Sequence, residues 1–223
     1  KKDLIYIGTD DGLIHTTLNG GVDWTKKTSI KGIPEMTYVS CLLASQHEDL
    51  TVYASFDNRK QGDFKPYVMK STDAGKSWVS IVGDLPENLP IHSIAEDHIN
   101  KDLIFLGTEF GVYFTVDGGK VWAKLSAGLP TICVKDLAIQ KRENDLVLAT
   151  FGRSFYVLDD YSPLRELSKG NLDKEAHIFN IKDALMYIES SPLGGRNKGS
   201  QGENFYNAKN PPLAAVFTYY VKD

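Results

Sequence analysis

Three copies of one short pattern punctuate this chain: Thr17-Leu-Asn19-Gly-Gly21-Val-Asp23-Trp24, Ser71-Thr-Asp73-Ala-Gly75-Lys-Ser77-Trp78 and Thr115-Val-Asp117-Gly-Gly119-Lys-Val121-Trp122. The tryptophans stand 54 and 44 residues apart, a spacing at which a chain copies one supersecondary unit and packs each copy on the next. The likeness extends on both sides of the motif. Leu103-Ile-Phe-Leu-Gly-Thr108 precedes the third copy as Leu4-Ile-Tyr-Ile-Gly-Thr9 precedes the first, and Val52-Tyr-Ala-Ser55 holds that place in the second. Downstream, Ile91-His-Ser-Ile-Ala95 is matched by Val134-Lys-Asp-Leu-Ala138, and a shift of 43 residues superposes residues 91–103 on 134–146. The shift leads into a fourth, worn copy, Val147-Leu-Ala-Thr150 and Ser154-Phe-Tyr-Val-Leu158, with no tryptophan after it.

Each unit holds four short runs of Val, Ile, Leu, Phe and Tyr separated by Gly, Pro, Asn and Asp, the pattern of strands and turns. Four strands every 40 to 50 residues describe a propeller blade. The expected fold is all-β: a partial β-propeller of about four four-stranded blades. In this reading an inner strand runs near 133–139 and a second near 146–150. The third and fourth strands of the preceding unit lie near 111–116 and 121–126, joined by the tryptophan motif. Residues 183–189 are the nearest thing to a helical segment.

The motif Ser/Thr-x-Asp-x-Gly-x-Ser/Thr-Trp resembles the Asp-box, or bacterial neuraminidase repeat. The second copy matches every position; the third has Val121 for the hydroxyl residue, and the first has Asn19 for the aspartate and Asp23 for the hydroxyl residue. Physically it is a turn. Asn19, Asp73 and Asp117 accept bonds from backbone N–H groups that a tight loop leaves unpaired, and Gly75 and Gly119 supply a backbone conformation that side chains disfavour. Trp24, Trp78 and Trp122 are expected to bury their rings between layers of sheet.

With 223 residues, 42% hydrophobic and 24% charged, the composition is that of a globular domain. A net charge of −4 argues against a nucleic-acid surface, and no apolar run is long enough for a membrane span. Cys41 and Cys133 lie on apolar runs at non-equivalent repeat positions and read as two free thiols, although spacing alone leaves a bridge between them open. The five histidines are scattered singly, so neither a metal site nor a cofactor is expected. The chain opens inside a blade, without its inner strand, and reads as a fragment.

Near residue 171 the composition changes. Residues 175–182 are expected to supply the outer strand of the last blade, residues 183–209 a linker poor in apolar side chains, and residues 210–223 the start of a following β domain or a capping strand. The blades thus occupy residues 1–182. Gly107-Thr-Glu-Phe-Gly-Val112, the stretch from Gly152 to Arg165, and Asn210-Pro-Pro together resemble the C-terminal part of the propeller in large secreted bacterial proteins. Those propellers are similar to the sortilin type and to xyloglucanases, and are labelled glycosyl hydrolases. The resemblance implies a secreted, periplasmic or cell-surface location.

Alternating strand directions put the motif turns on one face and the second-to-third-strand loops on the other, where propellers hold their ligands. Those loops are Asp10-Asp11, residues 56–65, Glu109-Phe110 and Phe151-Gly152-Arg153. A glycosidase needs two carboxylates about 5 Å apart to retain configuration or about 6.5–9.5 Å to invert it. Asp10, Asp57, Asp63 and Glu109 are the candidates, with Asp11, Arg59, Phe64, Phe110 and Arg153 on the same ligand face. The leading expectation is a ligand-binding or scaffold propeller. The alternatives are part of a glycoside hydrolase acting on polysaccharide, and a sortilin-like module that captures peptide or protein. An open stack of four blades also exposes two apolar sheet faces, through which self-association is expected unless residues 214–221 cover one.

Overall fold

The computed structural model describes residues 1–126, 128–167, 169–184, 186 and 213–222, in two compact units, Lys1–Arg165 and Glu166–Asp223. The first unit is four successive antiparallel meanders. They comprise β1 (Ile5–Gly8), β2 (Ile14–Thr17) and β3 (Thr25–Lys27); β4 (Tyr38–Ala44), β5 (Val52–Asp57), β6 (Tyr67–Ser71) and β7 (Val79–Ser80); β8 (Ile91–Glu96), β9 (Ile104–Thr108), β10 (Gly111–Thr115) and β11 (Ala123–Leu125); and β12 (Val134–Gln140), β13 (Asp145–Thr150) and β14 (Phe155–Leu158). The architecture is all-β, a partial β-propeller. In the second unit a four-residue helix, α1 (Lys169–Leu172), precedes β15 (Ala176–Ile178), which pairs antiparallel with β16 (Tyr219–Val221). Among the described residues the fourth sheet has three strands, and the strand within the segment 175–182, expected to be its outer strand, instead pairs with β16. Most of the segment 183–212, including the expected proline turn and all but residues 183, 184 and 186 of the expected helical stretch, lies outside the described residues.

Packing runs face to face through three apolar layers. Ile14 and Ile30 of the first blade meet Val39, Ala54, Phe56, Tyr67 and Met69 of the second. Tyr53 and Val68 meet Ile91, Ile94, Ile104 and Leu106 of the third, and Leu103, Phe105 and Val112 meet Val134, Leu137, Leu146 and Leu148 of the fourth. Blades two and three are covered on both faces, so β8 and β9 are buried at every position and read as continuous apolar runs. In the fourth blade, β13 buries Leu146 and Leu148 and leaves its other face half-covered. Each fully buried aliphatic or aromatic side chain contributes about 1.5–3 kcal/mol. The close approach also explains the Gly-Thr pairs: a Cβ on Gly8 would lie 2.5 Å from Val39 Cγ1, and one on Gly107 would lie 2.3 Å from Ser93 Oγ and 2.9 Å from the Val134 carbonyl.

The three tryptophan turns share one bonding scheme. The hydroxyls of Thr17, Ser71 and Thr115 donate to Asn19, Asp73 and Asp117 at 2.8, 2.8 and 2.7 Å, and accept from Gly21, Gly75 and Gly119 at 3.0, 2.8 and 3.1 Å. The acceptor side chain then takes the N–H of Asp23, Ser77 or Val121. A further bond ties each turn to the turn that leads into the strand of its blade starting two residues later, β1, β5 or β9: Gly20 to Asp3, Ala74 to Leu50 and Gly118 to Asp102. Both sets of turns therefore share a face. The rings differ in their surroundings. Trp122 is 7% exposed, and its Nε1 donates across the blade seam to the Ile81 carbonyl at 3.0 Å while its N–H binds Asp84. Trp24, by contrast, is 42% exposed and donates back to Gly21 of its own turn. The expectation that all three rings are buried between sheets holds for Trp122 alone: Trp78 is half-buried and, like Trp24, donates to the glycine of its own turn, at 3.0 Å, because burial comes from the bond across the seam and not from the motif.

On this turn face Asp97, fully buried, ties the third blade to the chain after the fourth. Its carboxylate accepts from Tyr161 Oη at 2.6 Å, from Arg165 Nε and Nη2 at 2.8 and 2.7 Å, and from the N–H groups of Ile99 and Asn100. The chain leaving β14 is drawn into this lock instead of turning back along the β14 edge. Burial opposes the charge on Asp97, but the Arg165 and Tyr161 bonds outweigh it and hold the pKa at about 2. The folded pKa lies below the unfolded one, so the contribution is present above about pH 4 and is lost as pH falls through about 2. Asp97→Asn is expected to destabilise the fold by about 3 kcal/mol at neutral pH in denaturant melts, with a difference from the parent that shrinks in acid. In the same assay Trp122→Ala costs about 3–5 kcal/mol and Trp24→Ala far less.

Candidate functional site

On the opposite face, the starts of the inner strands converge. Each carries a β-bulge at one equivalent place: between Val39 and Cys41 in β4, Ile91 and Ser93 in β8, and Val134 and Asp136 in β12. The extra residues are Ser40, His92 and Lys135. A bulge leaves its residue outside the ladder and re-aims the side chain; His92 is buried there, Ser40 half-buried and Lys135 exposed.

His92 points at Glu109, in the β9–β10 connection, with Nε2 2.9 Å from Oε2. Its Nδ1 faces Asp57 Oδ2 at 3.9 Å. Asp57 ends β5, and the next residues form a 3₁₀ turn, Arg59–Gln61, closed by Gly62 in the left-handed region. The turn brings Arg59 back over Asp57: its N–H, Nε and Nη2 contact the carboxylate at 2.9–3.1 Å, and its Nη1 donates to Glu109 Oε2. One guanidinium therefore bridges carboxylates from adjacent blades. Cys133, just before β12, donates its thiol to the same Glu109 oxygen at 3.6 Å, and Lys135 Nζ lies 3.4 Å from His92 Nε2. Tyr38, Asp57, Arg59 and Lys60 line a hollow of about 410 Å³ beside the cluster.

The electrostatics follow from this packing. Burial opposes ionisation of Asp57, but the Arg59 bonds prevail and hold its pKa below the ordinary carboxylate value. For Glu109, burial is likewise outweighed by the His92 bond and by Arg59. Burial keeps the His92 imidazole below its usual pKa against the pull of Glu109, which makes it a neutral ring with its proton on Nε2, donated to Glu109. The Lys135 ammonium is then a neighbour of that nitrogen and not a donor to it. Burial, with the nearby Glu109, raises the Cys133 thiol. Both acids are thus held charged by cations and donors, a setting unlike that of a proton-donating carboxyl, whose pKa must be raised.

Of the four expected acids, the structure brings Asp57 and Glu109 together and leaves Asp10 and Asp63 elsewhere. Asp63 is committed within its own loop, accepting from Tyr67 Oη at 2.6 Å and Asn58 Nδ2 at 3.2 Å, and the pairing pushes the Tyr67 phenol up to about 12, burial being the larger cause. Asp10 is exposed. Asp11 accepts from the Thr9 hydroxyl of its own loop. Arg59 is the hub; Phe64 and Phe110 are about half exposed, at 49% and 44%, and Arg153 is exposed in the β13–β14 connection. His92, Lys135 and Cys133 were not among the expected site residues. The 43-residue shift aligns His92 with Lys135, so two polar residues at one repeat position in apolar strands were the available signal. Both cysteines are free thiols.

No family model matches the chain, and no curated relative matches it. Solved structures do. YCF48 bound to D1 peptide superposes with a TM-score of 0.53 at 16% identity, over 72% of this chain and 48% of that one. The GH74 xyloglucanase from Xanthomonas campestris gives 0.53 at 19% identity, over 73% and 27%. The extracellular domain of a one-component system from B. thetaiotaomicron gives 0.53 at 18% identity, over 72% and 20%. The chain spans between a fifth and about half the length of these structures. At such identities the likeness is one of fold, that of a β-propeller. The Arg59 bridge makes a direct claim: in Arg59→Gln, the Glu109 carboxylate is expected to titrate at higher pH than in the parent, followed by carbon-13 NMR. An unmoved titration would show that Arg59 does not set its charge.

Proposed function

We propose that this chain is the ligand-binding or scaffold part of a larger β-propeller protein, with the loop face around Arg59 as its contact surface. The observation that carries the reading is the Arg59 bridge between Asp57 and Glu109. A hydrolytic pair would need one carboxyl held protonated to donate to the leaving group, whereas both of these are stabilised as anions. The polar hub, rimmed by the half-exposed rings of Tyr38 and Phe110, suits hydrogen bonding and ring stacking with a sugar or a peptide. The three tryptophan turns are read as Asp-box turns, on the bonding scheme they share. Exposed Ile5 and Ile7 on the first sheet and Phe155 and Val157 on the fourth are apolar faces suited to further blades or to self-association. An extracytoplasmic location is in keeping with the extracellular domain among the similar folds.

Two readings remain beside this one. The GH74 likeness supports part of a glycoside hydrolase, with Asp57 and Glu109 as its acids. YCF48 bound to D1 peptide supports a peptide- or protein-binding module of sortilin-like character. Glycan and peptide arrays, run beside a polysaccharide-hydrolysis screen, separate them. The expected outcome is binding without turnover, weakened at least about tenfold in Arg59→Ala, as for loss of a charge-assisted contact. Turnover abolished by Glu109→Gln would replace this reading with the hydrolase.

A further inference from the structure

We propose that His92, Glu109 and Cys133 form a binding site for a divalent cation of the zinc type. The imidazole, carboxylate and thiol atoms all lie within 4.8 Å of one another. Their separations of 2.9 Å from His92 Nε2 to Glu109 Oε2 and 3.6 Å from Cys133 Sγ to the same oxygen compare with about 3.3–3.6 Å between ligands at the corners of a zinc tetrahedron of ordinary bond lengths. Two donor hydrogens, N–H and S–H, already point at one carboxylate oxygen. A divalent ion in their midst takes the place of those hydrogens: the Cys133 proton leaves to solvent, and the imidazole proton moves to Nδ1 by exchange with water.

The surroundings fit that exchange. Once protonated, Nδ1 faces Asp57 Oδ2 at 3.9 Å, and a small turn of the ring makes the carboxylate–histidine contact that orients metal-bound imidazoles and strengthens them as ligands. Arg59 yields its bond to Glu109 but keeps Asp57 through its N–H, Nε and Nη2, so the cation displaced from one carboxylate remains neutralised by the other. Lys135 is exposed and free to swing from His92 into solvent. Three protein ligands of nitrogen, oxygen and sulfur leave a fourth position toward the loop face, the arrangement of zinc sites that keep an open position. The spacing 92, 109 and 133 matches no sequence motif, because the ligands come from a bulge, a strand connection and the entry to the next blade.

This inference goes beyond the ligand-binding reading and stands or falls without it. The test is a titration of the metal-free, reduced chain with cobalt(II), followed by the thiolate-to-cobalt charge-transfer absorption, then displacement by zinc. One equivalent bound, with a thiolate band that zinc abolishes, is the expected result. Cys133→Ser is expected to lose the band and Cys41→Ser to keep it, while His92→Gln keeps the thiol and weakens binding at least about tenfold. Circular dichroism shows that each variant is folded. Absence of a stoichiometric band in the parent, or a band that survives in folded Cys133→Ser, overturns the proposal.

Discussion

A four-stranded meander has two faces and cannot bury both by itself. That constraint organises the rest of this molecule. β8 and β9 are buried throughout only because a blade lies on either side, and the seams between blades hold the apolar clusters. Close packing then dictates local chemistry. Gly107 stands where a neighbouring inner strand leaves no room for a methyl group, and Trp122 finds its hydrogen bond in the preceding blade. The polar cluster around Arg59 follows from the same geometry, since the ends of three successive blades are brought within reach of one another.

Both faces of the stack hold acids bonded within one turn and acids bonded across blades. On the turn face, Asp73 closes a local circuit, whereas Asp97 and Glu96 bind across blades, Glu96 accepting from Ser45, Gln46 and Tyr53. Asp73 takes the hydroxyl and N–H of Ser77 along with Ser71, and these bonds bring its pKa to about 2; Asp97 is saturated by Arg165, Tyr161 and backbone. On the loop face, the charges around Arg59 are shared between blades, and partners can be exchanged: Glu109 Oε2 accepts from Arg59, His92 and Cys133 together. An oxygen with three donors is crowded, and any approaching group has something to displace. The first face holds the fold, and the second retains a choice of partners.

The blade order and strand positions were legible because they repeat. The inner strand expected near 133–139 runs Val134–Gln140, and the strands expected at 146–150 and 111–116 run Asp145–Thr150 and Gly111–Thr115. Features that do not repeat were read less well. The chain after Leu158 has no internal copy to align with, and its course is set by Asp97, more than 60 residues upstream. Trp24 and Trp78 have the motif but bond within their own turns, and only Trp122 reaches the preceding blade. At the site, charge type drew attention to Asp57, Glu109 and Arg59. His92 and Cys133 escaped notice because their meaning lies in convergence across seams, which no linear spacing displays; Lys135 was visible only as the repeat-mate of a histidine.

The bulges at Ser40, His92 and Lys135 share a consequence. In a regular ladder, changing one side chain in an inner strand disturbs either the seam or the opposite face. The extra residue stands outside that alternation, so the second, third and fourth blades each carry one slot on the loop face whose occupant is not fixed by the ladder. Ser40 uses that slot to cap the Ile91 carbonyl at 2.9 Å, His92 to meet an acid, and Lys135 to supply a cation. One repeated irregularity thus carries three different chemistries on the loop face, while the apolar seams beneath keep a common pattern.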